Sequence, residues 1–191
     1  MKPATRIEIR IAGTGGQGLI LSGKMLAEAL AALGKRVAQS QTYEPTSRGG
    51  YCNSDLVVSE AEVDYPLATQ IDYLVLLDRL AVKPSWPLLK SGALVVHDTK
   101  LCPELPQGNV QAYALSLSRT AINLGSERVA NMVALGALAA LARLCPRKTL
   151  EQAVRAETPK SFLDINLDAL AAGFALGEQA AAAPAAAVAP Y

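Results

Sequence analysis

The segment AGTGGQGLILSGK (12–24) constrains the fold of this chain more than any other. Four glycines fall within six positions: Gly13, Gly15, Gly16 and Gly18. The preceding segment 6–13 alternates apolar and polar residues as a β-strand does, and segment 18–34 has apolar residues at helical spacing up to Gly34. A strand, a glycine-rich turn and a helix in this order predict a βα unit of an α/β domain.

Strands and helices alternate through the first two-thirds of the chain. Strands are predicted at 6–13, 35–41, 51–59, 72–78, 93–98 and 109–115, and helices at 18–34, 128–144, 149–157 and 166–183. Segments 72–78 and 93–98 are continuous apolar runs, typical of strands buried on both faces. The sequence therefore predicts a Rossmann-like α/β fold, with a mostly parallel sheet flanked by helices and a helical C-terminal third.

The C-terminal third leads to two further expectations. Helix 128–144 is apolar around most of its circumference, so we expect it to be buried or shared with a partner chain. Residues 1–178 are predicted to form one domain, and 179–191 an alanine- and proline-rich tail with no function of its own.

Composition excludes several classes of protein. The formal net charge of +1 argues against a nucleic-acid binder, and no apolar run approaches the ~20 residues of a membrane helix. We see no secretion signal. Cys52, Cys102 and Cys145 are far apart and form no CxxC pair, so neither a disulfide framework nor a local metal or iron–sulfur motif is predicted. We expect a cytoplasmic protein with three reduced thiols.

The glycine loop approaches two nucleotide-binding patterns without completing either. Gly13-x-Gly15-x-x-Gly18 follows a strand and opens a helix, as in dinucleotide-binding proteins, but the second strand ends in 39–41 (QSQ) without the acidic residue that would hold a ribose. The P-loop spacing from Gly18 to Lys24 is followed by Met25, where a hydroxyl should reach magnesium. A tight turn that needs glycine only for its geometry is the simplest alternative. Gln17 argues against it, because its amide is placed to contact a ligand or a facing chain.

A second glycine segment, SRGG (47–50), follows the second predicted strand. We expect this strand to lie beside the first, so that both carboxyl ends open onto the same edge of the sheet, where ligands bind in such folds. There Ser47, Arg48, Gly49 and Gly50 would face the glycine loop, and Arg48 would offer its guanidinium to a phosphate or carboxylate. The alternative is a surface turn with a solvated arginine.

Together these motifs show a family resemblance. The chain resembles the gamma subunit of 2-oxoacid:ferredoxin oxidoreductases over residues ~6–177. In chain order, the segments that carry the resemblance are GTGGQG, YEPTSRGG, VDYPLATQIDYLVLLD, NMVALGAL and NLDALAAGFALG. The stretch TYEPTSRGGYCNSDLVVSEAEVDYP is closer to the 2-oxoglutarate or general 2-oxoacid type than to the indolepyruvate type.

The resemblance implies a role within a larger enzyme. This enzyme oxidatively decarboxylates a 2-oxoacid with coenzyme A, giving acyl-CoA, CO2 and reduced ferredoxin. The resemblance places thiamine diphosphate, magnesium and iron–sulfur clusters on alpha, beta and ferredoxin-like delta chains, with ferredoxin as the electron acceptor. This chain would pack over the catalytic subunits and help to enclose coenzyme A, and would be inactive alone. The residues assigned to that role are Gly13, Thr14, Gly15, Gly16, Gln17, Gly18, Ser47, Arg48, Gly49 and Gly50.

Three other polar residues end predicted strands. His97 is interpreted as a partly exposed loop histidine. Asp78 and Asp98 would bind a ligand or cap the helices that follow them. A second hypothesis for the whole chain, a stand-alone Rossmann-type nucleotide-binding reductase or ligand sensor, predicts nucleotide binding by the isolated chain.

Overall fold

The computed structural model describes residues 6–44, 49–61, 63, 65–182 and 186–187. Strands β1 to β7 span Arg6–Thr14, Arg36–Tyr43, Tyr51–Ser59, Ile71–Leu76, Leu89–Asp98, Val110–Leu115 and Ala186–Ala187. Helices α1 to α6 span Leu19–Ala32, Val82–Ser85, Leu117–Asn123, Ala130–Ala142, Arg147–Glu157 and Leu163–Ala182. The order confirms the predicted alternation and the helical C-terminal third.

The strands form one sheet in the order β2-β3-β1-β4-β5-β6-β7. Strands β1, β4, β5 and β6 are parallel neighbours, whereas β3 is antiparallel to both β1 and β2. Strand β2 therefore runs in the same direction as β1, and β3 is the exception among the six longer strands. This confirms the mostly parallel sheet.

The expected adjacency of β2 and β1 is wrong, because β3 lies between them. The reason is the short connection 44–50, which is long enough for an antiparallel hairpin but not for a crossover to a parallel strand. Pairing of β2 with β3 is continuous from Arg36 opposite Ser59 to Tyr43 opposite Cys52. The carboxyl end of β2 still lies at the same edge of the sheet as that of β1.

A buried ion pair fixes β3 against β1. The Arg10 guanidinium donates from Nε and Nη2 to the two carboxylate oxygens of Asp55, both at 2.7 Å. Burial lowers the pKa of Arg10, but the hydrogen bond and charge of Asp55 raise it by more, so the net pKa of the guanidinium lies above its ordinary value. Arg10 and Asp55 are opposite each other in the register of β1 and β3. The same register places Thr14, the last residue of β1, opposite Tyr51.

Helices α1 and α3 to α6 pack on one face of the sheet, and α2 with the segment near Cys102 packs on the other. Every residue of α4 from Ala130 to Ala139 is buried, because α6 crosses it on the side away from the sheet. Over residues 130–139 the apolar circumference of this helix is therefore covered by this chain itself. The alternative expectation, a surface shared with a partner chain, is not needed to explain it.

Some boundaries differ from the predictions. Helix α5 begins at Arg147 with Pro146 as its N-cap, so Thr149 is not the cap. Helix α6 continues past residue 178 to Ala182, and the division of the chain at 178 stays a prediction. Over the described residues, no helix combines the length and the apolar character needed to cross a membrane.

Candidate functional site at the carboxyl edge of the sheet

The glycine loop joins the end of β1 to the start of α1. Gly16 and Gly18 have φ angles of 96° and 74°, in the left-handed region that favours glycine. Gly18 is the N-cap of α1, and no side chain of the described residues caps this helix end. Among the described residues, no side chain therefore competes with an anion for the backbone N–H groups of the first turn.

Gln17 is directed into the chain. Its Oε1 accepts a hydrogen bond from the Thr14 N–H at 2.8 Å, and its Nε2 donates to the Leu77 carbonyl at 3.1 Å. A Cβ at Gly13 would collide with Gln17 Oε1, so this amide explains the glycine there. The expectation that Gln17 faces a ligand does not match this geometry, because both ends of its amide already have partners within the chain.

Asn131, in the first turn of α4, holds the other end of the loop. Its Nδ2 donates to the Gly18 carbonyl at 3.1 Å and to Ser22 Oγ at 3.0 Å. A Cβ at Gly18 would lie 2.5 Å from Asn131 Nδ2, so Gly18 is required for this contact as well as for its φ angle. No motif in the sequence pointed to Asn131, because only the fold brings position 131 next to position 18.

The two glycine segments meet, as predicted. The Gly15 N–H donates to the Gly50 carbonyl at 2.9 Å, which joins the loop after β1 to the residue before β3. Gly49 has a φ angle of 75°. Ser47 and Arg48, the other two predicted members of this segment, lie outside the described residues. The juxtaposition arises from the pairing of β3 with β1, and not from an adjacent β2.

Two clefts open beside the loop. One, of about 670 Å³, lies between the loop, the start of α1 and β2, and Gln39, Gln41 and Cys52 contribute to its lining. The other, of about 190 Å³, lies between the loop and the start of α4, and its lining includes Gly16, Gln17, Glu127, Arg128 and Ala130. Gly16 lines both clefts, so the loop forms the ridge between them.

The geometry does not support either nucleotide-binding pattern. The Gln39 amide donates to the Ile20 carbonyl at 3.0 Å and to Ser54 Oγ at 2.9 Å, so it packs against α1 and β3. The P-loop match is accidental, because residues 19–24 are helical. Lys24 forms an ion pair with Glu157.

The strand-end residues have structural roles. Contrary to the interpretation of His97 as a loop residue, it lies in β5, is 6% exposed, and has Nδ1 2.7 Å from the Cys102 carbonyl. Asp78 accepts from the Leu80 N–H at 2.9 Å, as a cap does. Asp98 is fully buried and accepts from the N–H groups of Lys100, Leu101 and Ser118. Of the two roles expected for these aspartates, ligand binding and capping, the structure shows capping for both.

Comparison with known proteins identifies the family. Residues 8–176 match the family model described as pyruvate ferredoxin/flavodoxin oxidoreductase. The chain belongs to this family. The 2-oxoglutarate synthase subunit KorC of Archaeoglobus fulgidus is 36% identical over 174 residues, which cover 91% of this chain and 89% of KorC.

Two solved structures are similar to the chain. The gamma subunit of the keto/oxoacid ferredoxin oxidoreductase from Geobacter sulfurreducens has a TM-score of 0.84 and 40% identity, over 93% of this chain and 99% of that chain. The 2-oxoglutarate:ferredoxin oxidoreductase from Magnetococcus marinus, with 2-oxoglutarate, coenzyme A and succinyl-CoA bound, has a TM-score of 0.80 and 30% identity. That match covers 91% of this chain but 31% of the other, longer chain.

These relatives confirm the resemblance seen in the sequence. The chain is a gamma subunit of the 2-oxoacid:ferredoxin oxidoreductase type, and it functions as one subunit of a multi-subunit oxidoreductase. It therefore has other subunits as partners. The stand-alone reductase or sensor is not supported.

Proposed function

We propose that the carboxyl edge of the sheet in this gamma subunit packs over the subunits that carry thiamine diphosphate, and that the glycine loop helps to enclose coenzyme A there. The observation that carries the proposal is Gly15. It is exposed, its φ angle is not positive, and among the described residues an added Cβ would meet only the Gly50 carbonyl, at 3.9 Å. The described residues therefore leave the glycine at position 15 unexplained, whereas a molecule approaching the backbone from outside would explain it.

The chemistry of the loop suits an anionic ligand. Coenzyme A carries phosphates, and the free N–H groups at the start of α1 with the helix dipole favour negative charge. The proposed site is formed by the residues predicted from the sequence: Gly13, Thr14, Gly15, Gly16, Gln17, Gly18, Ser47, Arg48, Gly49 and Gly50. Within this set, Gly15, Gly16 and Arg48 are assigned direct contacts, and Gln17 supports the loop from behind.

The redox groups are proposed to lie on other chains. Among the described residues, no group of three or more His, Cys, Asp and Glu side chains is placed to hold a metal ion. Burial raises the pKa of Cys102 and that of Cys145 to about 11, which keeps both thiols protonated near neutral pH. We therefore assign thiamine diphosphate, magnesium and iron–sulfur clusters to alpha, beta and delta partners, with ferredoxin as the electron acceptor of a cytoplasmic complex.

The proposed substrate is 2-oxoglutarate, oxidised with coenzyme A to an acyl-CoA, CO2 and reduced ferredoxin. Support comes from the KorC relatives of Archaeoglobus fulgidus and Methanocaldococcus jannaschii, both named as 2-oxoglutarate synthase subunits. The test is to co-express this chain with its alpha and beta partners and to compare 2-oxoglutarate, pyruvate and 2-ketoisovalerate as substrates. A preference for either of the other two acids would overturn the substrate assignment.

The isolated chain provides a separate test. We expect no activity when the purified chain alone is mixed with coenzyme A, thiamine diphosphate, magnesium, a 2-oxoacid and a viologen dye. Sustained dye reduction under these conditions would contradict the assignment of the redox groups to partner chains.

A further inference from the structure

We infer that Gln17 and Asn131 are positioning residues, which hold the glycine loop in the one arrangement that presents Gly15 and Gly16 to the ligand. The inference rests on the proposed function of the loop. It adds a role for Asn131, which lies 113 residues beyond Gly18 in the sequence, and it gives Gln17 a role different from ligand contact.

The two amides fix opposite ends of the loop. Gln17 joins Thr14, at the end of β1, to Leu77, just after β4. Asn131 joins Gly18, the N-cap of α1, to the start of α4, and is 6% exposed. The two amides thus attach the loop to two strands and two helices, and Gly15 and Gly16 lie between these two attachments.

The contacts within the loop are too few to define its shape without these amides. Apart from the pairing of β1, its other backbone hydrogen bonds among the described residues are three: Gly15 N–H to Gly50 O, at 2.9 Å, Gln17 N–H to Thr14 O, at 3.3 Å, and Ser22 N–H to Gly18 O, at 3.1 Å. Glycines impose little conformational restriction of their own. The side chains of Gln17 and Asn131 therefore restrict the conformations of Gly15 and Gly16, which is the preorganisation that ligand binding requires.

Both amides are uncharged, so they act on the ligand through geometry and not through charge. A positioning role predicts weaker use of coenzyme A at unchanged use of the 2-oxoacid. A purely structural role predicts a less stable chain whose folded fraction has normal kinetics. The two roles are separable by measuring kinetic constants and thermal stability on the same assembled complex.

The experiment uses the assembled complex with Gln17→Ala, Gln17→Glu or Asn131→Ala in this chain. Gln17→Glu keeps the acceptor for the Thr14 N–H and removes the donor to Leu77, so it serves if Gln17→Ala assembles poorly. Asn109→Ala is the matched control, because the Asn109 amide also donates a hydrogen bond, to Ser91 Oγ at 2.7 Å, but lies beside the amino end of β6. Amide hydrogen exchange at residues 13–19 gives a readout that is independent of activity.

We expect Gln17→Ala and Asn131→Ala each to raise the KM for coenzyme A by about tenfold or more, since misplacement of a site by about 1 Å can cost about 100-fold. The KM for the 2-oxoacid should stay unchanged, and exchange at residues 13–19 should accelerate. Asn109→Ala should leave the KM for coenzyme A and the exchange at residues 13–19 unchanged. A normal KM for coenzyme A in both alanine variants, while Gly15→Ala raises it, would overturn the positioning inference alone. A normal KM for coenzyme A in these two variants and in Gly15→Ala would overturn both the positioning inference and the proposed function.

Discussion

The glycines of the loop and those between α4 and α6 have different neighbours. At Gly173 an added Cβ would collide with the Val133 carbonyl, and at Gly177 it would lie 2.6 Å from the Ala137 carbonyl. The contact moves from 133 and 173 to 137 and 177, so the residue numbers rise together in both helices. Helices α4 and α6 therefore run in the same direction, with their backbones in close contact. At Gly15, by contrast, an added Cβ would make only an ordinary contact with the described residues, 3.9 Å from the Gly50 carbonyl.

The contrast separates two reasons for glycine. Between α4 and α6 the neighbour that requires glycine belongs to this chain, so a larger residue must disturb the fold. At Gly15 no described neighbour requires glycine, and the proposed function supplies such a neighbour from a ligand or a partner subunit. The loop also contains glycines that a neighbour in this chain requires, since Gly13 and Gly18 make room for the amides of Gln17 and Asn131.

The largest effect on stability is expected for Gly173→Ala. We expect a loss of about 3 kcal/mol or more in the free energy of unfolding, because overpacking costs about 1–3 kcal/mol and here the obstacle is backbone. Denaturant unfolding of the purified chain measures it. Helix propensity alone would instead make the variant about 1 kcal/mol more stable, and that result would contradict the close helix contact.

A smaller effect is expected for Gly13→Ala, because the obstacle is the movable end of the Gln17 side chain. We expect a loss of about 1–3 kcal/mol, as the Thr14 N–H and the Leu77 carbonyl lose their partner. The double variant Gly13→Ala/Gln17→Ala should cost less than the sum of the two single variants. Additive losses would show that Gln17 is not what requires glycine at position 13.

Arg48→Ala tests the neighbouring segment. If Arg48 is a surface residue, as the sequence predicts, its truncation should change the stability of the chain by no more than about 0.5 kcal/mol. Loss of a charge-assisted contact should weaken the use of coenzyme A in the complex by about 1.5–3 kcal/mol. Arg48→Lys is the matched control, because it keeps the charge but not the planar fork. Unchanged kinetics in Arg48→Ala would leave Arg48 as a solvated surface residue.

The sequence was sufficient for the class of fold and for the meeting of the two glycine segments, because apolar periodicity and turn residues are local signals. The adjacency of β2 and β1 was predicted incorrectly, although the shortness of segment 44–50 favours the pairing of β2 with β3. The inward direction of Gln17 and the contact from Asn131 depend on long-range packing, since Leu77 and residue 131 approach the loop only in the folded chain. His97 was misplaced for the same reason.

The most direct test of the central claim is Gly15→Ala, measured in the complex and in the purified chain. The account predicts an unfolding free energy within about 0.5 kcal/mol of the parent, as for a substitution that disturbs no internal contact. It also predicts a rise of about tenfold or more in the KM for coenzyme A, or a comparable weakening of subunit docking, equivalent to about 1.4 kcal/mol. A complex that assembles and turns over like the parent at limiting coenzyme A would contradict the claim that the loop faces a ligand or partner.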